Sequence, residues 1–367
     1  MSKSNIFLDA PNVGNIEKKY LCRAIDNGYI STFGDYVPKF EKKFASYLGI
    51  KKAVSTQSGT SALHISLYTL GIGKGDEIIV PTLTFIATVN PIKYVGATPV
   101  FVDVDIDTWN VLPSEIEKKI TKRTKAILPV HLYGNPCDMS AINKIAKEYN
   151  IKVIEDATES LGAIYNGKYT GTLGDLGCFS FNGNKIITTG GGGMVVGKDY
   201  KILERIKFLV NQAREDTNNY YHPEIGFNYR MTNIEAALGL AQLERLDEFL
   251  EKKIKFNTIY KEELRNIKGI KFQETLPKAR SSCWLTCILI EKDLDISTLQ
   301  RKLAKKGIPT RRVFMPVVEF PPYRDCRCDK YKNSYVIYSK GLCLPSSTLN
   351  SFKDIVYVCK NLRELLK

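Results

Sequence analysis

Apolar positions along the first two thirds of the chain fall into two alternating rhythms. Helical periodicity predicts amphipathic helices over residues 16–27, 37–48 and 140–149. A helix that is apolar on most faces opens at Ser58 and runs to about residue 70. Between the helices lie short apolar runs bounded by Gly, Pro, Asn and Asp, which predict buried strands at 52–55, 77–80, 98–102, 126–130, 152–155, 178–181 and 193–196. Strands interleaved with helices predict an α/β fold with a mainly parallel sheet covered by helices on both faces. Beyond about residue 235 the rhythm changes. A long, charge-laced helical stretch over 234–264 precedes a strand at 283–290 and helices at 296–306 and 352–366. The expected organisation is a large domain over residues 1–235 and a smaller C-terminal α+β domain over 236–367, with the long stretch as hinge.

Composition narrows this picture. With 44% hydrophobic and 25% charged residues among 367, the chain can fill a core, and disorder is not expected. The net charge of +14 raises nucleic acid, anionic membrane or anionic small molecules as partners. The lysines are scattered among acids, as in Glu251-Lys252-Lys253, so solvated helix faces are expected rather than a nucleic-acid patch. Nine cysteines without a regular framework point to reduced thiols and a cytoplasmic setting. Three histidines and the tight Cys326/Cys328 spacing give a metal site little to build on, and none is expected. Neither a secretory signal nor an apolar run of membrane-spanning length is evident.

Four segments carry candidate chemistry. In Phe179-Ser180-Phe181-Asn182-Gly183-Asn184-Lys185, a strand delivers a lysine into a turn that ends in four glycines, Gly190 to Gly193. The order of glycines and lysine is not that of a Walker loop. A lysine held at a crevice suits Schiff-base chemistry, whereas a surface lysine before a glycine hairpin is the bland alternative. Asp156 ends a buried strand 29 residues earlier, where carboxylates face the ligand crevice of an open α/β sheet. It could pair with a pyridinium nitrogen, or simply cap the next helix. Ser58-Gly59-Thr60-Ser61 is either a phosphate site at a helix start or a plain N-cap. Phe85 follows another strand and could stack on an aromatic ring or belong to the core.

Together these segments resemble the sugar aminotransferases of the DegT/DnrJ/EryC1/StrS family, within fold type I of the pyridoxal-phosphate enzymes. The resemblance runs from Gly28 to Ser346 and is most specific from Ser180 to Met194. It implies pyridoxal 5'-phosphate as cofactor, Lys185 as its Schiff-base lysine and Asp156 on the ring nitrogen. It further implies Glu159 beside the phenolic oxygen, Phe85 on the ring, and Gly59, Thr60 and Ser180 on the phosphate. Asn228, in Gly226-Phe227-Asn228-Tyr229-Arg230, would reach the cofactor phosphate of a neighbouring subunit, which implies a homodimer with shared active sites. Related dehydratases carry His at the lysine position, so Lys185 favours transamination. Asn184-Lys185-Ile186-Ile187-Thr188-Thr189 looks like the group acting at sugar C4. Gln212 to Glu215 and Arg280 to Trp284 resemble enzymes of UDP-linked 4-keto-6-deoxy-N-acetylhexosamines, the favoured substrate class. Phe314-Met315-Pro316 and Pro321-Pro322-Tyr323 look closer to GDP-perosamine synthases, and a dTDP-sugar is a further alternative. The resemblance also implies L-glutamate as donor. Two departures are Gly191, where a Glu is frequent, and Arg311-Arg312, where Arg-Pro is frequent. Arg230 or Arg311 could touch a nucleotide phosphate. A non-catalytic regulator that keeps the cofactor fold is the alternative of a different class.

Overall fold

A computed structural model describes residues 5–215, 219–328 and 330–366. An N-terminal strap without regular structure leads into two helices, α1 (Asn15–Asp26) and α2 (Tyr36–Leu48). The chain then alternates as β1 (Ala53–Thr56), α3 (Gly59–Thr69), β2 (Glu77–Pro81), α4 (Ile86–Tyr94), β3 (Thr98–Val102), α5 (Pro113–Lys118), β4 (Thr124–Ile127), α6 (Met139–Glu148) and β5 (Lys152–Asp156). A small hairpin of β6 (Ile164–Tyr165) and β7 (Lys168–Tyr169) precedes β8 (Leu176–Ser180) and β9 (Gly193–Gly197). Three helices follow, α7 (Tyr200–Val210), α8 (Asn233–Glu244) and α9 (Leu246–Leu264). The remainder comprises β10 (Ile270–Phe272), β11 (Ala279–Arg280), β12 (Cys287–Ile290), α10 (Ile296–Lys305), β13 (Arg311–Arg312), α11 (Lys332–Lys340), β14 (Gly341–Cys343) and α12 (Phe352–Leu365).

The central sheet has seven strands in the order β1-β9-β8-β5-β4-β2-β3. Strands β8, β5, β4, β2 and β3 pair in parallel, and β9 runs antiparallel to both its neighbours. Strands β1 and β2 are buried at every position, as expected of a sheet covered on both faces. Helix α2 shows how the sequence sets this up. Phe40, Phe44, Ala45 and Leu48 recur at helical spacing and are buried, and the helix stops at Gly49, whose φ of 68° suits a residue without a side chain. Helix α6 starts at Asp138, whose carboxylate accepts the Ala141 N–H, and buries Ile142, Ile145 and Ala146.

A second, four-stranded antiparallel sheet has the order β10-β12-β14-β13. It packs with α9, α10 and α12 around a separate core that includes Phe256, Tyr260, Ile288, Leu303, Ile355 and Leu362.

Two expectations are corrected, and four helices carried none. The stretch 234–264 is two helices, not one. The first ends at Arg245, whose guanidinium bonds Glu17 and Glu248, and the second turns toward the C-terminal core. The strand expected from residue 283 begins only at Cys287, because Cys283 adopts a left-handed φ of 51°. Helices α4, α5, α7 and α11 carried no expectation, and α4 even contains Pro91.

The N-terminal strap is laced to the C-terminal part. Ser346 N–H donates to the Leu8 carbonyl, the Ser347 hydroxyl to Ala10, and Asn350 exchanges two hydrogen bonds with Phe7. These bonds hold Asp9 where it pairs with Asn184 and Arg311.

Candidate active site

The carboxyl ends of β2, β5 and β8 open into a crevice of about 270 Å³, the expected ligand position in an open α/β sheet. Gly59, Thr60, Phe85, Asp156, Glu159, Ser180 and Lys185 all line it. Asn228 is exposed and is not among the lining residues, nor is Arg230, whereas Arg311 is.

Asp156 sits at the last position of β5 and is 1% exposed. Its Oδ2 accepts a 2.7 Å hydrogen bond from the Thr88 hydroxyl, and its Oδ1 accepts the Thr158 N–H at 3.0 Å. These two hydrogen bonds fix the orientation of the buried carboxylate at the strand end. Thr88 belongs to α4, which no periodicity revealed.

Lys185 follows β8 in a turn closed by its own N–H donating to Asn182 O. Its Nζ lies 4.0 Å from Glu159 Oε1 and 4.0 Å from the centroid of the Trp284 ring. Burial pushes the lysine below its ordinary range, with the Glu159 and Asp156 charges working the other way. That is the state required of a nucleophilic amine. Burial likewise raises Glu159 to about 7, against the lowering influence of Lys185 and of the Tyr133 N–H, which Glu159 Oε2 accepts at 2.8 Å.

The opposite end of the crevice is built from backbone. Ser58 caps α3 by accepting the Ser61 N–H, so the Gly59 and Thr60 amides open the helix ahead of its first bond, Ala62 N–H to Ser58 O. A side chain at Gly59 would put its Cβ 2.8 Å from the Cβ of Ser180, so glycine lets the hydroxyl of β8 approach the helix start. Helix-start amides, a hydroxyl and the positive end of a helix dipole suit a phosphate. Between the two ends, the Phe85 ring is 52% exposed, unusual for a residue of this size beside buried strands. It packs tilted against the Phe314 ring, with centroids 5.5 Å apart, and the two rings give the crevice an apolar wall.

Trp284 and Tyr133 are further parts that periodicity missed. Trp284 Nε1 donates to Asn184 O at 2.8 Å, which fixes the indole against Lys185. Tyr133, at a left-handed φ of 55°, stacks on Trp284 and Phe314 and accepts the Phe314 N–H through its hydroxyl. The left-handed tyrosine has no sequence signature, because aromatic residues rarely adopt that conformation.

A lysine, a strand-end carboxylate, an apolar wall and a phosphate cradle are the four chemistries that pyridoxal phosphate needs, and the cradle at Gly59 shows that the residues fit it. Comparison with known proteins agrees. The pattern of the DegT/DnrJ/EryC1/StrS aminotransferases matches residues 11–363. The chain is 44% identical to the GDP-perosamine synthase of Escherichia coli O157:H7, covering 96% of each, and 42% identical to that of Caulobacter vibrioides, covering 98% of each. The solved structure described as the putative sugar aminotransferase Spr1654 from Streptococcus pneumoniae, PLP-form, superposes with a TM-score of 0.93 at 26% identity, over 98% of each chain. The chain therefore belongs to the DegT/DnrJ/EryC1/StrS aminotransferase family, has the fold type I architecture, and is an enzyme with pyridoxal phosphate as its cofactor.

Proposed function

We propose that the enzyme transfers an amino group from L-glutamate to C4 of a nucleotide-linked 4-keto-6-deoxy sugar, and that the nucleotide is GDP. The observation that carries the amino transfer is the convergence of Lys185, Asp156 and Glu159 on one crevice with a phosphate cradle. The identity to two GDP-perosamine synthases over nearly whole chains favours GDP over the UDP-linked N-acetylhexosamine expected from residues 212–215 and 280–284. Phe314, from the segment that resembles those synthases, lines the crevice, as does Trp284 of residues 280–284, whereas none of residues 212–215 does.

When bound, pyridoxal phosphate supplies an electron sink for the carbon that loses a proton. The residues do the rest. Gly59 and Thr60 amides and the Ser180 hydroxyl would hold the phosphate. Phe85 would cover the ring. Asp156, fixed by Thr88 and Thr158, would keep the ring nitrogen protonated. Lys185 Nζ takes the proton from the donor carbon and, in the second half-reaction, returns a proton to sugar C4. Its lowered proton affinity lets it act as a base, and Glu159 receives positive charge beside it.

The same reading places Asn228 in the site of a second copy, so that a homodimer shares its active sites. Its exposure and its position outside its own crevice support this. The separate core built from residues 256–366 supports a smaller C-terminal domain, but the expected boundary at 235/236 falls inside α8, which packs in the main core, so the division lies after that helix. Nine free cysteines suit a reducing, cytoplasmic setting, and no helix among the described residues is long and apolar enough to cross a membrane.

Assay with L-glutamate and a panel of GDP-, UDP- and dTDP-linked 4-keto-6-deoxy sugars tests the proposal. GDP-linked amino sugar should form fastest. Faster turnover of a UDP- or dTDP-sugar would replace the nucleotide, and no turnover of any would reject the sugar substrate.

A further inference from the structure

One strap residue joins the two ends of the catalytic neighbourhood. Asp9 Oδ2 accepts a 3.0 Å hydrogen bond from Arg311 Nη1 and another, also 3.0 Å, from Asn184 Nδ2. Asn184 precedes Lys185, and its carbonyl holds the Trp284 indole. The Trp284 ring in turn faces both cations, with Lys185 Nζ at 4.0 Å and Arg311 Cζ at 6.0 Å from its centroid. Arg311 therefore lines the same crevice as Lys185 and sits by the same indole. Its neighbour Arg312 turns away, to the carbonyls of Tyr338 and Ser339.

The pairing of Arg311 is incomplete. Its Nη1 has Asp9, but its Nε and Nη2 are buried without a hydrogen-bond partner. Buried guanidinium donors without acceptors are costly, and a planar fork is matched in geometry by a carboxylate. The strap that carries Asp9 is itself held at Leu8 and Ala10 by Ser346 and Ser347, so the contact to Arg311 is anchored from both sides.

We propose that Arg311, held by Asp9, is the clamp for the α-carboxylate of the amino donor, with Asp9 a positioning residue that sets the guanidinium and the Lys185 turn in one register. The proposal rests on the aminotransferase reading. Substrate chemistry decides between the two anions that enter this crevice. The α-carboxylate of an amino acid is one bond from the carbon that loses its proton, so its partner must lie beside Lys185. The diphosphate of a nucleotide sugar hangs from C1, across the pyranose ring from C4, and meets the protein farther out. A guanidinium that lies by the same tryptophan ring as the catalytic lysine, in the same crevice, fits the first position.

The two half-reactions of the holoenzyme separate the roles. Conversion of the pyridoxal form by L-glutamate, and of the pyridoxamine form by the GDP-linked 4-keto sugar, are each followed by absorbance. Binding of maleate, a dicarboxylate that cannot react, is measured by titration calorimetry. Arg311→Lys should lose efficiency in the glutamate half-reaction about tenfold more than in the sugar half-reaction, the scale of one hydrogen bond to a charged group. It should also weaken maleate by a similar factor. Asp9→Asn should shift both readouts in the same direction by less, and Asp9→Glu should recover part of the loss. Should Arg311→Lys fail to fold, Asp9→Asn carries the test. Equal losses in the two half-reactions, a loss confined to the sugar, or unchanged maleate binding would each overturn the clamp. Failure of the aminotransferase reading itself is distinct, since the parent enzyme would then be inert to glutamate.

Discussion

Thr88→Val removes one hydroxyl and leaves shape and volume nearly unchanged. In the parent, Thr84 and Thr88 hydroxyls lie 2.8 Å apart, and Thr88 donates at 2.7 Å to Asp156 Oδ2, with Asp156 and both threonines buried. A hydrogen bond to a buried charged group contributes about 1.5–3 kcal/mol, and its loss leaves both the carboxylate oxygen and Thr84 short of a partner. That energy corresponds to roughly a 10- to 150-fold change in an equilibrium at about 1.4 kcal/mol per decade. Part of the loss should appear as lower stability of the apoenzyme, on the order of 1–2 kcal/mol by urea unfolding. The rest should appear as weaker cofactor binding and slower conversion by L-glutamate, because Asp156 is no longer aimed at the ring nitrogen. Thr88→Ser keeps the donor and should stay close to the parent. The readouts are cofactor titration of the apoenzyme and single-turnover absorbance with glutamate. If Thr88→Val binds cofactor and reacts like the parent, the support of Asp156 by α4 is refuted.

Three further outcomes follow from the same geometry. Asp156→Asn should retain cofactor but lower the rate by roughly 10²–10³-fold, the scale of losing a key electrostatic partner; a rate within a few-fold of the parent would contradict its role. Glu159 has a folded value near 7, above its ordinary 4.5, chiefly through burial, so its ionisation disfavours the folded apoenzyme. Its stabilising contribution is therefore full below pH 4.5 and is lost as the pH rises to about 7, and Glu159→Gln should flatten the melting temperature of the apoenzyme across that window; identical slopes in the two proteins would refute it. Mixing inactive Lys185→Ala with inactive Asn228→Asp under subunit exchange should restore activity, because a heterodimer can assemble one site with neither lesion; no recovery despite demonstrated exchange would place Asn228 outside a shared site.

Much of the crevice was legible because its parts sit inside local signatures. Asp156 ends an apolar strand, Gly59 lies in a small-residue turn before an apolar helix, and Lys185 lies between a strand and four glycines. Their meeting follows from topology alone, since parallel strands end at one edge of the sheet. What was not legible lacks such a signature. Helix α4 has its middle filled with Thr88, Val89, Asn90 and Pro91, so neither amphipathic rhythm nor propensity marked it, and Thr88 stayed hidden with it. The contact between Asp9 and Arg311 spans 302 residues and depends on a strap with no regular structure. The break at Arg245 was missed because helical periodicity persists on both sides of it: Leu246, Phe249 and Leu250 continue into the same core as α8, and only Phe256, Tyr260 and Leu264 reach the C-terminal one.

The central claim is a reversible amino transfer in which Lys185 holds pyridoxal phosphate and serves as the proton carrier. The measurement that tests it most directly is the visible spectrum of the purified holoenzyme through one cycle of substrates. The account predicts a yellow band that fades on addition of L-glutamate and returns on addition of a GDP-linked 4-keto-6-deoxy sugar, and that is absent from Lys185→Ala reconstituted alongside. A band that glutamate leaves unchanged, or one that survives with full cycling in Lys185→Ala, would contradict it.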